Sequence, residues 1–209
     1  ILNTPNAESH WEGPALEAWE PWSPAQVATI LKGSPPTWCV VGGWAIDLWL
    51  GRYTRDHGDI EIAAPRNDFV SLRKALEPRY QLYAVGNGET SALDIDDIFP
   101  SSRHQCWVAD PTSGEWRLDL MLEPGDSQTW VFRRDERIQE SRDRMIDRDG
   151  NIPFLRPEGV LLYKAKSHRA KDQADLEACL PSLPPESRSW LATSLSMVHP
   201  DHRWLDLLQ

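Results

Sequence analysis

The period of the apolar residues changes along the chain. "GWAIDLWL" (43–50) repeats them at helical spacing and stops at Gly51, whereas "GDIEIAA" (58–64) alternates as a half-buried strand does. Before them, "SPAQVATILKG" has Ser23 placed as an N-cap, Pro24 at the first helical position and Gly33 past the end, which predicts a helix over 24–32. The β-branched and aromatic run "TWCVV" (37–41) predicts a short buried strand. A helix is expected around 67–77, and strands near 80–85, 105–109, 116–122 and 129–132, separated by Gly, Pro and Asp turns. After residue 150 the chain changes character. Pro157 opens a helical segment, and "PPESRSWLATSLSMV" adds another. Residues 1–22, with Trp11, Trp19 and Trp22, hold no sustained period and read as an irregular arm packed on the body. The expected division is 1–150 for the sheet-bearing domain with its arm and 151–209 for a helical domain.

The chain is long enough to bury a real core, at 209 residues with 40% hydrophobic and 26% charged positions. A net charge of −10 repels a phosphate backbone, so long nucleic acid is a disfavoured partner. Cys39, Cys106 and Cys179 are odd in number and far apart, which fits reduced thiols and a cytoplasmic location rather than a disulfide framework. No apolar run approaches the ~20 residues that span a bilayer, and no membrane association is expected.

The candidate chemistry lies in "VVGGWAIDLWLGRYTRDHGDIEIAAPR" (40–66). Strand alternation projects Asp59 and Glu61 from one face while Ile60 and Ile62 enter the core. Two carboxylates on a rigid element suit Mg²⁺, which takes one or two protein carboxylates and fills its remaining positions with water and substrate phosphate. Upstream, the strand ending at Val41 passes through Gly42 and Gly43 directly into a helix, whose free N–H groups form an anion site open to a phosphate. Alone, a Gly-Gly turn is only a tight turn, and an acid-x-acid strand is only a solvated face. Their conjunction in this order is the stronger signal.

"GGWAIDLWLGRYTRDHGDIEI" resembles the signature of nucleotidyltransferases of the DNA polymerase β superfamily, and most closely the antibiotic-modifying, aminoglycoside 2''-type branch. The match is close over residues 41–66 and loose elsewhere. The resemblance implies an α+β nucleotidyltransferase fold: a small mixed β-sheet flanked by helices, then a helical C-terminal domain. It implies transfer of a nucleoside monophosphate, from ATP or another nucleoside triphosphate, to a hydroxyl of a small molecule such as an aminoglycoside-like antibiotic. By position, Gly42 and Gly43 would hold the triphosphate, and Asp59 and Glu61 would bind Mg²⁺. Arg55 and His57 would contact phosphate or brace the metal strand. Glu61 stands where many relatives carry Asp.

The superfamily brings a third acid from a later strand. In "EWRLDLML", Leu118, Leu120 and Leu122 share one face and Arg117, Asp119 and Met121 the other, so Asp119 is the choice, as metal ligand or as the base for the acceptor hydroxyl. Asp94, Asp96 and Asp97 read as an acidic loop, and Glu115 and Glu123 as surface residues at the strand ends. Asp47 reads as a structural acid paired with Arg52 or Arg55, and Trp44 as a packing residue. Lys164, in a basic cluster with Lys166, Arg169 and Lys171, is assigned to the triphosphate; the plainer reading is a solvated helix face partnered by Asp172 and Asp175. Acidic residues lining the cleft would suit a polycationic acceptor, with tryptophans as its walls. Two alternatives stand beside this reading: a catalytically silent nucleotide-binding regulatory module, and a toxin-type nucleotidyltransferase acting on a macromolecule.

Overall fold

The computed structural model describes residues 13–167 and 169–209. Trp11 lies outside them. In chain order the elements are α1 (Pro24–Ile30), β1 (Cys39–Val41), α2 (Gly42–Leu50), β2 (Glu61–Pro65), α3 (Phe69–Leu76), β3 (Gln81–Gly86), β4 (Glu89–Ala92), β5 (Gln105–Asp110), β6 (Glu115–Glu123), β7 (Thr129–Val131) and β8 (Gln139–Ser141). They continue with α4 (Arg142–Met145), β9 (Ile146–Asp149), β10 (Ile152–Leu155), α5 (Pro157–Lys164), α6 (Ala170–Cys179) and α7 (Pro185–Val198).

Local chemistry sets several of these boundaries. The Ser23 hydroxyl accepts from the Gln26 N–H, and the Gln26 side chain accepts from the Ser23 N–H, a reciprocal cap that starts α1. Gly51, at φ 63°, ends α2 in the left-handed conformation that glycine adopts without strain.

Eight strands form one mixed sheet in the order β4-β3-β5-β6-β2-β1-β10-β9. β2 runs antiparallel to β1 and parallel to β6, and β10 runs parallel to β1. In this register Val40, Ile62, Leu120 and Cys106 lie side by side on one face and are fully or almost fully buried. Glu61 and Asp119 therefore lie together on the other face.

β9 and β10 were not expected from the sequence, and they carry the sheet past residue 150 to Leu155. The helical part then opens at Pro157 as expected. There α5 packs against α2, α6 and α7.

The N-terminal arm lies along the start of β6. The Trp116 N–H donates to the Ala18 carbonyl at 2.8 Å, and the Glu20 N–H donates to the Trp116 carbonyl at 3.0 Å. Trp19, Trp107 and Trp116 pack edge-to-face or tilted with their ring centroids 5.2–6.2 Å apart, so these tryptophans act as packing for the arm. All three cysteines are buried and free, as their spacing suggested. Among the described residues no helix is long and apolar enough to cross a membrane.

Candidate active site

Three elements meet where β1 ends. Val41 pairs with Glu61 across β1 and β2, and Glu61 pairs with Asp119 across β2 and β6. The Asp119 N–H donates to the Ile60 carbonyl at 2.9 Å, locking the two acid-bearing strands in register. Asp59 is exposed just ahead of β2, Glu61 is half-buried, and Asp119 is buried.

The electrostatics are those of like charges sharing a small volume. Burial, and then the Glu61 charge, raise the Asp119 carboxyl well above the usual range, and Asp59 adds to the effect. Glu61 is raised by burial and then by Asp59, with Lys164, Lys171 and Arg169 pulling the other way. Asp119 Oδ2 accepts from Gln105 Nε2 at 2.9 Å, while Oδ1 is buried without a well-aligned hydrogen bond, the likewise unpaired Trp107 indole N–H lying near enough to pull the carboxyl's value down. An orphaned carboxylate oxygen beside a second acid is costly to bury unless a cation or proton meets it. This set of hard oxygens fits a divalent cation of the Mg²⁺ type. Among the described residues no three His, Cys, Asp or Glu side chains converge as ligands of one ion. The acids share one patch of the sheet, and their fit to a metal rests on donor type, mutual electrostatics and the orphaned oxygen.

Gly42 sits at φ 67°, and a Cβ there would run into Glu61 Oε2 and lie 3.2 Å from its Cδ. A Cβ on Gly43 would collide with the Arg55 guanidinium and lie 2.7 Å from the His57 ring. The two glycines thus let the helix start lie flat against the acid-bearing segment, one against Glu61 and the other against the Arg55–His57 pair.

Arg55 and His57 point to the helix rather than to open solvent. His57 Nε2 lies 2.7 Å from Asp47 Oδ2, and Arg55 Nη1 donates toward His57 Nδ1 at 3.2 Å, which leaves Nε2 as the donor to Asp47. The Thr54 hydroxyl donates to the other Asp47 oxygen. Asp47 is therefore structural, as expected, but its partners are His57 and Thr54 rather than the side chains of Arg52 or Arg55. Trp44 stacks on His57 with centroids 4.5 Å apart, which bears out its reading as packing. Arg55 Nη2 also approaches Asp175 Oδ2 on α6 at 3.5 Å, tying this segment to the helical part.

A cleft of roughly 740 Å³, including its open mouth, runs from Gly42 and Glu61 across Ala63 and Met121 to Glu123. Its other wall is α5 and the residues flanking it. Lys164 lines the cleft beside Glu61, and its Nζ lies 2.8 Å from Asp175 Oδ2, an ion pair without hydrogen-bond alignment, and 3.4 Å from Asp172 Oδ1. Lys164 is thus paired with Asp172 and Asp175, as the plainer sequence reading had it, but it is buried rather than on a solvated face, and it lines the cleft with Glu61.

Two expectations about the cleft change. It carries Arg133, Arg134, Lys164 and Arg169 against Glu61 and Glu123, so its lining is not acidic. Its aromatic wall is Tyr163, with no tryptophan among the described lining residues. Asp94, Asp96 and Asp97 form an exposed loop, tied down by Arg73, which donates to the Asp94 and Asp97 carbonyls.

The residue that sequence reasoning missed is Glu123. Expected at the surface, it is 4% exposed, with Oε2 buried and without a partner and Oε1 accepting weakly from the Tyr163 hydroxyl at 3.5 Å. Burial raises its carboxyl to about 7 against the opposing pull of Arg142, Tyr163 and Arg133. A carboxyl with a raised folded-state value stabilises the fold fully at low pH, and that contribution is lost as pH climbs through the folded value. A rise from 4.5 to about 7 corresponds to roughly 3 kcal/mol lost across that window. The Glu123→Gln variant lacks this term. Its melting temperature is expected to overtake that of the parent as pH rises from 4.5 to 8, measured by thermal unfolding in parallel.

A mixed sheet carrying paired acids beneath a Gly-Gly helix start, followed by a helical part, is the arrangement that the nucleotidyltransferase resemblance implies. Residues 25–83 match the family model described as aminoglycoside-2''-adenylyltransferase. Among solved structures, the fold is similar to the crystal structure of ANT(2")-Ia in complex with adenylyl-2"-tobramycin, at 18% identity and a TM-score of 0.51 over 83% of this chain and 99% of that one. A lincomycin-bound lincosamide antibiotic adenylyltransferase, LnuA, is similar at 16% identity and a TM-score of 0.46, over 68% of this chain and 84% of that one. No curated protein matches the chain significantly.

Proposed function

We propose that the protein moves a nucleoside monophosphate from a nucleoside triphosphate to a hydroxyl of a small, antibiotic-like acceptor, with Mg²⁺ as cofactor. The observation that carries this reading is the Glu61–Asp119 pair in register on parallel strands, with an orphaned buried oxygen on Asp119 and Asp59 close enough to perturb both.

In this reading Asp59, Glu61 and Asp119 would hold the metal, which when bound would neutralise phosphate charge at the reacting centre. The N–H groups at the start of α2, next to Gly42 and Gly43, bind phosphate oxygens, because they are unsatisfied within the helix and lie at its positive end. Lys164 exchanges its Asp175 partner for a phosphate oxygen as charge develops on the departing pyrophosphate. Asp119 serves either as a further ligand of the metal through Oδ1 or as the group that takes the proton of the attacking acceptor hydroxyl. Arg55, His57 and Asp47 hold the acid-bearing segment against α2 and do not touch the reacting groups. The helical part closes the cleft and brings the Lys164 cation to the sheet.

The test is pyrophosphate release from labelled triphosphates with Mg²⁺ and a panel of hydroxylated acceptors that includes tobramycin and lincomycin. Acceptor-dependent release, with a nucleotidylated product of matching mass, is the expected result. Binding of triphosphate with no turnover on any acceptor would instead support a silent regulatory module.

A further inference from the structure

The cleft has two ends, and the reading above uses only one. The Gly42–Glu61 end, with Lys164 and Arg169, is where the triphosphate is placed. The other end lies four residues along β6 from Asp119, about 13 Å away at the rise of an extended strand. Between the ends the lining is apolar, with Ala63, Met121 and Leu155 from the sheet and Val160 from α5. At the far end, the Tyr163 ring is covered by the Arg134 guanidinium at 5.2 Å, and Glu123 and Arg133 face the cavity.

Gly42 and Glu61, which the reading above assigns to phosphate and metal, both line this cleft. The cleft therefore takes the nucleotide. A nucleotide held by its phosphates at Gly42 extends its base along the apolar passage to Glu123.

The groups waiting there have unspent hydrogen-bonding capacity. Glu123 Oε2 has no partner and Oε1 has one long contact, so the carboxylate can take two more donors. The Arg133 guanidinium makes no hydrogen bond or ion pair among the described residues, its backbone N–H alone being used by the Tyr163 hydroxyl. Behind Glu123, the buried Arg142 donates to the Thr37 carbonyl and keeps one guanidinium nitrogen unpaired, favouring the charged form of Glu123 once donors arrive.

We propose that Glu123 and Arg133 form a nucleobase pocket that selects guanine. This rests on the nucleotidyltransferase reading. Guanine is the base that offers two adjacent N–H donors, at N1 and the 2-amino group, next to an acceptor edge at O6 and N7. A carboxylate takes the two donors, and an arginine fork takes O6 and N7, the commonest specific contact made to guanine. Adenine reverses the pattern: its N1 lone pair meets the carboxylate and its 6-amino group meets the Arg133 donors, leaving buried groups opposed or unpaired. The apolar walls and the Tyr163 edge suit a planar ring of either purine, so the discrimination comes from the polar end.

The test is calorimetric titration of the full chain with non-hydrolysable GTP and ATP analogues in Mg²⁺, for the parent, Glu123→Gln and Arg133→Lys. The parent is expected to bind the guanine analogue about tenfold or more tightly than the adenine analogue. In Glu123→Gln, which presents one donor and one acceptor as adenine requires, the ratio should fall to near unity or invert. Arg133→Lys should weaken guanine binding and leave adenine binding within about twofold, with unchanged thermal unfolding confirming the fold. Equal binding of both analogues by the parent, or a guanine preference that survives Glu123→Gln, would overturn the pocket while leaving the transferase reading intact. Binding of neither analogue would overturn both.

Discussion

Asp119→Asn is expected to abolish nucleotidyl transfer and to make the metal-free protein more stable. The substitution keeps shape and the Gln105 hydrogen bond, since the asparagine carbonyl can still accept from Gln105 Nε2. It removes a negative charge that burial and Glu61 both oppose. Because the folded-state value of Asp119 is raised, its contribution to stability is present at low pH and is lost as pH climbs through that value. The asparagine variant has no such loss, so its advantage grows with pH. A gain of about 1–2 kcal/mol at pH 8 is the expected size, and for a chain of this length each kcal/mol moves the melting temperature by about 2–4 °C. Transfer should fall on the order of a thousandfold, because the carboxylate that the proposed mechanism uses as cation ligand or base would be gone. Parallel thermal unfolding and steady-state assays read both effects. A purely structural acid would give the opposite pairing, with stability lost and residual activity following it.

Gly42→Ala should cost both stability and activity, for separable reasons. The left-handed conformation at φ 67° strains any L side chain by about 1–2 kcal/mol. The new methyl would also occupy the space of Glu61 Oε2, so the carboxylate has to turn away from the start of α2. The expected result is a stability loss of about 2 kcal/mol and a fall in transfer of about a hundredfold or more. Gly51→Ala is the control. Gly51 has nearly the same backbone conformation, φ 63°, with nothing within 4 Å of an added Cβ. It should lose about 1 kcal/mol of stability and keep its activity.

The parts of this fold that were legible in the sequence are those whose determinants are local. The Ser23–Gln26 cap, the Gly51 stop, the alternation through Ile60 and Ile62, and the three leucines opposite Asp119 depend on neighbours within a few positions. β10 escaped because "IPFL" contains Pro153 and owes its place to Val40, far away in the chain. β8, "QES", is polar and pairs only with β7, so no periodicity marks it. The same distinction holds in the site. The sequence placed Glu61 and Asp119 on one face, because strand alternation fixes the direction of each side chain. It did not give the direction of Arg55 and His57, which lie on an irregular segment oriented by Asp47 and Asp175. Glu123 at the end of a strand reads as a surface acid. Tyr163, forty residues later on α5, lies against it, and the Arg142 charge acts on it.

Placing Lys164 in the triphosphate site requires it to leave Asp175 and Asp172, both themselves buried. Arg55 and Arg169 also contact these two acids, at 3.5 and 2.8 Å, and would continue to neutralise them after Lys164 moves. This ion-pair cluster, centred in the helical part, can therefore exchange partners without leaving a buried carboxylate alone, which would be strongly destabilising.

The most direct measurement is a crystal structure of the protein soaked with Mg²⁺ and a non-hydrolysable nucleoside triphosphate. The account predicts metal–oxygen distances of about 2.0–2.1 Å to carboxylates of Asp59 and Glu61, with Asp119 Oδ1 turned to the same cation cluster and the phosphates over Gly42 and Gly43. A triphosphate bound elsewhere, or a bound cation with Asp119 left facing Gln105 alone, would contradict it.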